Sequence, residues 1–127
     1  MSIKKGRPRD PERVQHMVAA AEWINTAAEG LTLVALLANK TLQLALERQF
    51  EILGEAASQV SVETQQQWPA IDWRRIKNSR NLIAHEYFRV DYAELLHIAQ
   101  YIIPPMLPFL ASLLEELNQQ FGPDASV

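Results

Sequence analysis

The chain has 127 residues, 48% of them apolar and 21% charged, with a net charge of −3 and no cysteine. That length suits one domain with a core of its own, and the absence of cysteine excludes disulfides and thiolate metal sites and suits a reducing cytoplasm. A mildly acidic chain does not coat nucleic acid in bulk, so any such contact has to come from a local basic patch, and four glycines leave little material for a phosphate loop.

The basic start, Met1–Arg9, is followed by no apolar stretch and reads as a solvated tail rather than a signal peptide. No uninterrupted apolar run approaches the ~20 residues that span a bilayer, so a cytoplasmic protein without a membrane partner is expected. Asp10-Pro11-Glu12 is a helix start, with Asp10 as the cap and Pro11 in the first turn. Val14, Met17, Val18, Ala21 and Ile24 then recur at helical steps to about Ala28, and Gly30 stands just past the end. Thr32–Ala38 is a short apolar run that periodicity does not distinguish from a buried strand. From Asn39 a longer helix follows, with Leu42, Leu46, Phe50, Leu53 and Ala57 in register. Gly54 falls inside it, where glycine costs about 1 kcal/mol against alanine, so close packing of another element is expected there. Ser61–Gln67 is polar, and Trp68-Pro69 marks a break.

The next helix is predicted from Asp72 to about Tyr87. Asp91, with Glu94 three residues on, caps a last helix that Pro104, Pro105 and Pro108 must kink or restart. Leu107, Leu110, Leu113, Leu114 and Leu117 restore its apolar stripe before Gly122-Pro123 ends it. The expected fold is all-α: an antiparallel bundle of four to five helices with a Pro-kinked last helix, over residues 10–121, between short tails 1–9 and 122–127.

Chemistry concentrates in Trp73–Phe88. At helical spacing, Trp73, Ile76, Arg80 and Ile83 share one arc, while Arg74, Asn78, Asn81 and His85 share the adjoining one. Asn81 and His85, four apart, can touch. Arg74, Arg75, Lys77 and Arg80 supply the basic patch that the overall charge conceals. The other two histidines, His16 and His97, have no polar constellation near them in sequence and read as structural. No group of residues has the spacing of a metal site.

Arg80-Asn81, followed after three residues by His85-Glu86-Tyr87, resembles the Arg-x4-His-x-Tyr motif of HepT-like toxins, small helical ribonucleases of the HEPN superfamily. Ile52-Leu53-Gly54-Glu55-Ala56 is similar to the family's Ile-Gly-Glu-Ala segment. Trp68-Pro69-Ala70-Ile71-Asp72-Trp73 is similar to its approach to the motif helix, and Val90-Asp91 to the run behind it. The resemblance covers roughly residues 42–110. It implies a HEPN-like bundle that forms a homodimer, cleaves RNA without metal or cofactor through Arg80 and His85, and acts as the toxin of a toxin–antitoxin pair. The implied antitoxin is a minimal nucleotidyltransferase, able to transfer AMP onto the motif tyrosine, here Tyr87.

The residue types suit that reaction. A neutral imidazole can take the 2′-hydroxyl proton of RNA or protonate the leaving oxygen, and a guanidinium can neutralise the developing phosphorane by bidentate contact. Asn81 can orient His85 or bind phosphate; Arg74, Arg75 and Lys77 can bind further phosphates; Glu55 on the preceding helix can anchor Arg80. On an ideal helix, five residues at about 100° each leave Arg80 and His85 about 140° apart. Either the helix frays before His85, or a second copy completes the site. Two other readings use the same residues: a non-catalytic dimer that binds nucleotide or a nucleotidyltransferase partner, and a purely structural dimer with Arg80 paired to Glu55.

Overall fold

The computed structural model describes residues 7–83 and 90–121. Its elements are α1 (Asp10–Ala28), α2 (Leu33–Leu37), α3 (Lys40–Gln59), α4 (Val62–Gln67) and α5 (Trp73–Asn78), which runs on as a 3-10 turn (Ser79–Leu82). Then come α6 (Tyr92–His97), a π turn (Ile98–Ile102) and α7 (Ile103–Phe121). No strand occurs among the described residues, and the all-α bundle expected from the sequence is the fold.

The long helices α1, α3 and α7 enclose the core. Val14, Met17, Ala21 and Ile24 of α1 meet Leu46, Phe50, Leu53 and Ala57 of α3 and Ile103, Leu110, Leu113 and Leu117 of α7, all buried. Burial of each large side chain of this kind contributes about 1.5–3 kcal/mol. Short polar side chains set the helix starts: Thr32, Asn39, Ser61, Asp72 and Asp91 each accept a bond from the backbone N–H three residues on, satisfying donors that a first turn leaves orphaned. Gly30, at φ 70°, makes the left-handed turn after α1. Two amides close the other ends: Gln43 Nε2 donates to the carbonyls of Leu36 and Leu37, and Gln100 Nε2 to those of Ala28 and Leu31.

Three elements differ from the sequence expectation. Polar Ser61–Gln67 forms α4, held by its Ser61 cap and by Gln65 Nε2, which donates to the Val60 carbonyl at 2.8 Å. The expected helix from Asp72 to Tyr87 stays α-helical only to Asn78 and tightens into the 3-10 turn, after which Asp91 N donates to the Leu82 carbonyl. The last helix is not broken at its prolines. The π turn shifts its bonding by one residue, with Ile103 N donating to the Ile98 carbonyl, and Pro104 and Pro105 stand just after the shift, where missing N–H groups cost least. The whole stretch Tyr92–Phe121 is thereby 30 residues long and passes for a membrane span by length and composition, which no single apolar run in the sequence announces. In the bundle its inner side is the core face against α1.

Asp10 is not the cap expected of it. It is the first residue of α1, almost fully buried, and its carboxylate accepts from Arg7 N (3.0 Å), Ser61 N (3.0 Å), Ser61 Oγ (2.6 Å) and Thr64 Oγ1 (2.7 Å). This pins the start of α1 to the α3–α4 corner and sets α1 antiparallel to α3. Burial pushes this carboxyl up, but the bonds from Ser61, Thr64 and Arg7 outweigh it and hold the pKa below the ordinary value. A depressed folded-state pKa stabilises the fold above the unfolded value of about 4 and is lost as pH falls through the folded-state value. Asp10→Ala leaves these donors without their acceptor and is expected to lower stability by about 2–4 kcal/mol near pH 7. In urea titrations the deficit should shrink as the pH is taken below 4; an unchanged midpoint near pH 7 would refute the tether.

Candidate functional site

Trp73 and Ile76 bury one side of α5 against α3, and buried Ser79 closes the turn with its Oγ on the Ile76 carbonyl at 2.6 Å. This brings the stem of Arg80 across α3 at Gly54. A Cβ built there would stand 2.5 Å from Arg80 Cγ, 2.8 Å from Cδ and 3.3 Å from the Ile76 carbonyl, so any side chain would displace the arginine. Beyond Gly54, Arg80 Nη1 donates to Glu55 Oε1 at 2.7 Å, and Gln59 Nε2 holds the other carboxylate oxygen at 2.9 Å. The two charged side chains are 37% and 58% exposed, so this pair adds only about 0–1 kcal/mol to the fold. It orients Arg80 rather than stabilising the domain. The Arg80–Glu55 pair expected from the sequence is thus present, and in the single chain it is half-exposed.

Arg80 and Asn81 stand at the edge of a cleft of about 520 Å³ between α1 and α3. Its α1 wall carries Arg13 and His16; its α3 wall carries Arg48, Glu51, Glu55 and Gln59 over an apolar floor of Ile52 and Ala56. His16, which the sequence suggested was structural, is thus an exposed side chain beside the Arg80–Asn81 pair. Its neighbours on α3 and beyond lie some 30 to 65 residues away in the chain, and no local spacing announces them. Arg13 and Arg48 were not singled out by the sequence for the same reason.

The expected basic patch is divided. Arg74 and Arg75 line a separate hollow of about 480 Å³ with Asn78, Ser79 and Glu94, and Lys77 Nζ donates to Gln65 at 3.1 Å. Of the stripe expected to join Arg74, Asn78 and Asn81, Arg74 and Asn78 share that hollow, whereas Asn81 lines the α1–α3 cleft beside Arg80. His97 stacks on Tyr101 with ring centroids 5.2 Å apart. His85 and Tyr87 lie outside the described residues. The regular helix ends before His85, so the 140° separation drawn from an ideal helix loses its premise as an argument for a composite site. Among the described residues no three carboxylate or imidazole groups stand close enough to hold a metal ion. Elsewhere, burial and a bond to Glu47 push the Tyr92 hydroxyl up to about 12, so it remains a neutral donor between α6 and α3.

The structure is thus a small all-helical domain with an arginine–asparagine pair at a cleft that also carries Arg13 and Arg48. The model of the HepT-like ribonuclease family matches residues 17–113, and the chain belongs to that family. It is 27% identical over 82 residues to a Methanocaldococcus jannaschii protein named "Putative RNase", covering 65% of this chain and 71% of the relative. A second protein of that organism with the same designation is 32% identical over 66 residues, 52% of this chain and 61% of the relative. A "Probable ribonuclease HepT" of Thermococcus cleftensis is 28% identical over 93 residues, 73% and 84%. No solved structure matches the chain significantly.

If Gly54 is small to admit Arg80, the two positions are coupled. Gly54→Ala adds overpacking of about 1–3 kcal/mol against a helix-propensity gain of about 1 kcal/mol, so a net loss of up to about 2 kcal/mol is expected. In the Arg80→Ala background the same change should become neutral or stabilising. Urea denaturation of the four proteins checks this; equal effects in both backgrounds would remove the steric explanation.

Proposed function

We propose that the chain is an endoribonuclease that works without a metal or cofactor, acts as the cytoplasmic toxin of a toxin–antitoxin pair, and is neutralised by a minimal nucleotidyltransferase. The observation that carries this reading is the seating of Arg80: its stem is fitted into Gly54, its head is held by Glu55 at the rim of an open cleft, and Asn81 stands beside it. Membership of a ribonuclease family supports it. Among the described residues Arg80 is engaged only through Nη1, by Glu55, which leaves donors of the guanidinium for a scissile phosphate.

In this mechanism His85 takes the proton of a ribose 2′-hydroxyl, and the freed oxygen attacks the adjacent phosphorus. Arg80 neutralises the charge on the non-bridging oxygens as the P–O5′ bond breaks. The departing 5′-oxygen takes a proton, leaving a 2′,3′-cyclic phosphate and a 5′-hydroxyl. Asn81 orients the imidazole or the phosphate. A homodimer would place a second copy of this cleft in the assembly, and Arg74, Arg75 and Lys77 offer phosphate contacts on the far side of α5.

His85→Ala and Arg80→Ala should each lower cleavage of RNA in EDTA by about 10²–10⁴-fold and relieve growth arrest, with far-UV circular dichroism unchanged. Parental cleavage by both variants would overturn the mechanism. AMP transfer to Tyr87 would set a phosphate close in sequence to the arginine that RNA requires. Intact-mass spectrometry after co-expression with the adjacent nucleotidyltransferase and ATP should show added AMP units, absent from Tyr87→Phe. Neutralisation of Tyr87→Phe as effective as that of the parent would show that complex formation alone suffices.

A further inference from the structure

We infer that Arg13 and Arg48 bind the RNA phosphates on either side of the one held at Arg80, so that a single strand lies along the α1–α3 cleft. The inference rests on the ribonuclease reading and extends it to residues outside the motif segment.

Their placement carries it. Asp10 fixes the start of α1 at Ser61 and Thr64, so Arg13, one turn into α1, stands toward the Gln59 end of the cleft. Arg48 lies seven residues before Glu55 on α3, about 10 Å along the helix axis toward the other end. Arg80, held by Glu55, falls between them. Three guanidinium groups are thus strung along one cleft. Only Arg80 is engaged: among the described residues neither Arg13 nor Arg48 has an ion pair or side-chain hydrogen bond. An arginine kept for solubility needs no such alignment; three along a groove match the regular charge of a nucleic-acid backbone.

The floor points the same way. Ile52 and Ala56 give the cleft an apolar base beneath its charged rim. That combination suits a strand whose phosphates follow the rim while a base lies against the floor. A volume of about 520 Å³ accepts groups of nucleotide size and not a double helix. Glu51 opposes the strand from the α3 wall: it lines the cleft one turn from Arg48 and repels phosphate. His16, opposite it, supplies a hydrogen-bonding ring on the α1 wall.

The test measures fluorescence anisotropy of a labelled single-stranded 2′-O-methyl oligoribonucleotide, which binds without being cut, across a range of salt. Cleavage of the unmodified oligonucleotide is followed in parallel. Arg13→Gln/Arg48→Gln should weaken binding at least tenfold in low salt and flatten the salt slope by about 1.4, two single-strand phosphate contacts. Each single change should flatten it by about half of that. Lys40→Gln, the same loss of charge on α3 but outside the cleft, should leave affinity within twofold. Glu51→Gln should tighten binding two- to threefold, an effect that damage to the fold does not produce.

Parental affinity and slope in the double variant, or an equal loss in Lys40→Gln, would overturn the inference. Unchanged KM and slope in a double variant that still cleaves would overturn it while the nuclease reading stood. A parent that binds with the expected salt dependence but never cleaves would uphold the phosphate track and end the nuclease reading. A parent that binds no oligonucleotide would end both.

Discussion

The contact between Gly54 and the stem of Arg80 sets the height at which the second half of the molecule sits on the first. With any Cβ at that position the Arg80 stem would have to move off α3, and the Ile76 carbonyl, 3.3 Å from the same point, leaves little room beside it. A residue that weakens its own helix by about 1 kcal/mol therefore determines where the Arg80 guanidinium lies. The burial of Ile76 and Trp73 far exceeds that local loss.

Two carboxylates show how the domain separates holding from acting. Asp10 is almost fully buried and saturated by donors from its own chain, including Ser61 and Thr64 some fifty residues away. It fixes a wall of the cleft and is inaccessible to any ligand. Glu55 is more than half exposed and shares its oxygens between Arg80 and Gln59. In high dielectric that exposed pairing is weak enough to rearrange when an anion arrives. Strong, dry polar contacts secure the scaffold, and weak, wet ones hold the charged groups at the cleft.

What could be read in the sequence was what local chemistry dictates. Asn39, Asp72 and Asp91 marked helix starts because a capping side chain acts within three residues. The stripes of α1, α3 and α7 appeared because burial repeats with the helical period. Gly54 announced a close approach, though not by what. The polar α4 was missed because it has no apolar stripe and depends on its cap. The π turn was missed because prolines signal interruption, not the manner of it. The approach of Arg13, His16 and Arg48 to Arg80 and Asn81 depends on how three separate elements pack, and no spacing within one segment encodes that. Asp10 was legible as an N-terminal residue but not as a partner of Ser61, for the same reason.

The π turn has a consequence for how this chain tolerates changes of length. It accommodates one residue more than a regular helix of the same span, which lets Leu95, Ile98 and Ala99 face the core before the shift and Ile103, Leu110, Leu113 and Leu117 after it. Deleting a single residue between 98 and 102 would remove that surplus residue and leave an ordinary α-helix, with the leucine face of α7 still turned to α1. A deletion further along α7 has no surplus to draw on and would turn everything downstream of it by about 100°. The π turn is therefore the place where this long helix can lose a residue without losing its core face, and a homologous chain one residue shorter in its last helix should be shorter here.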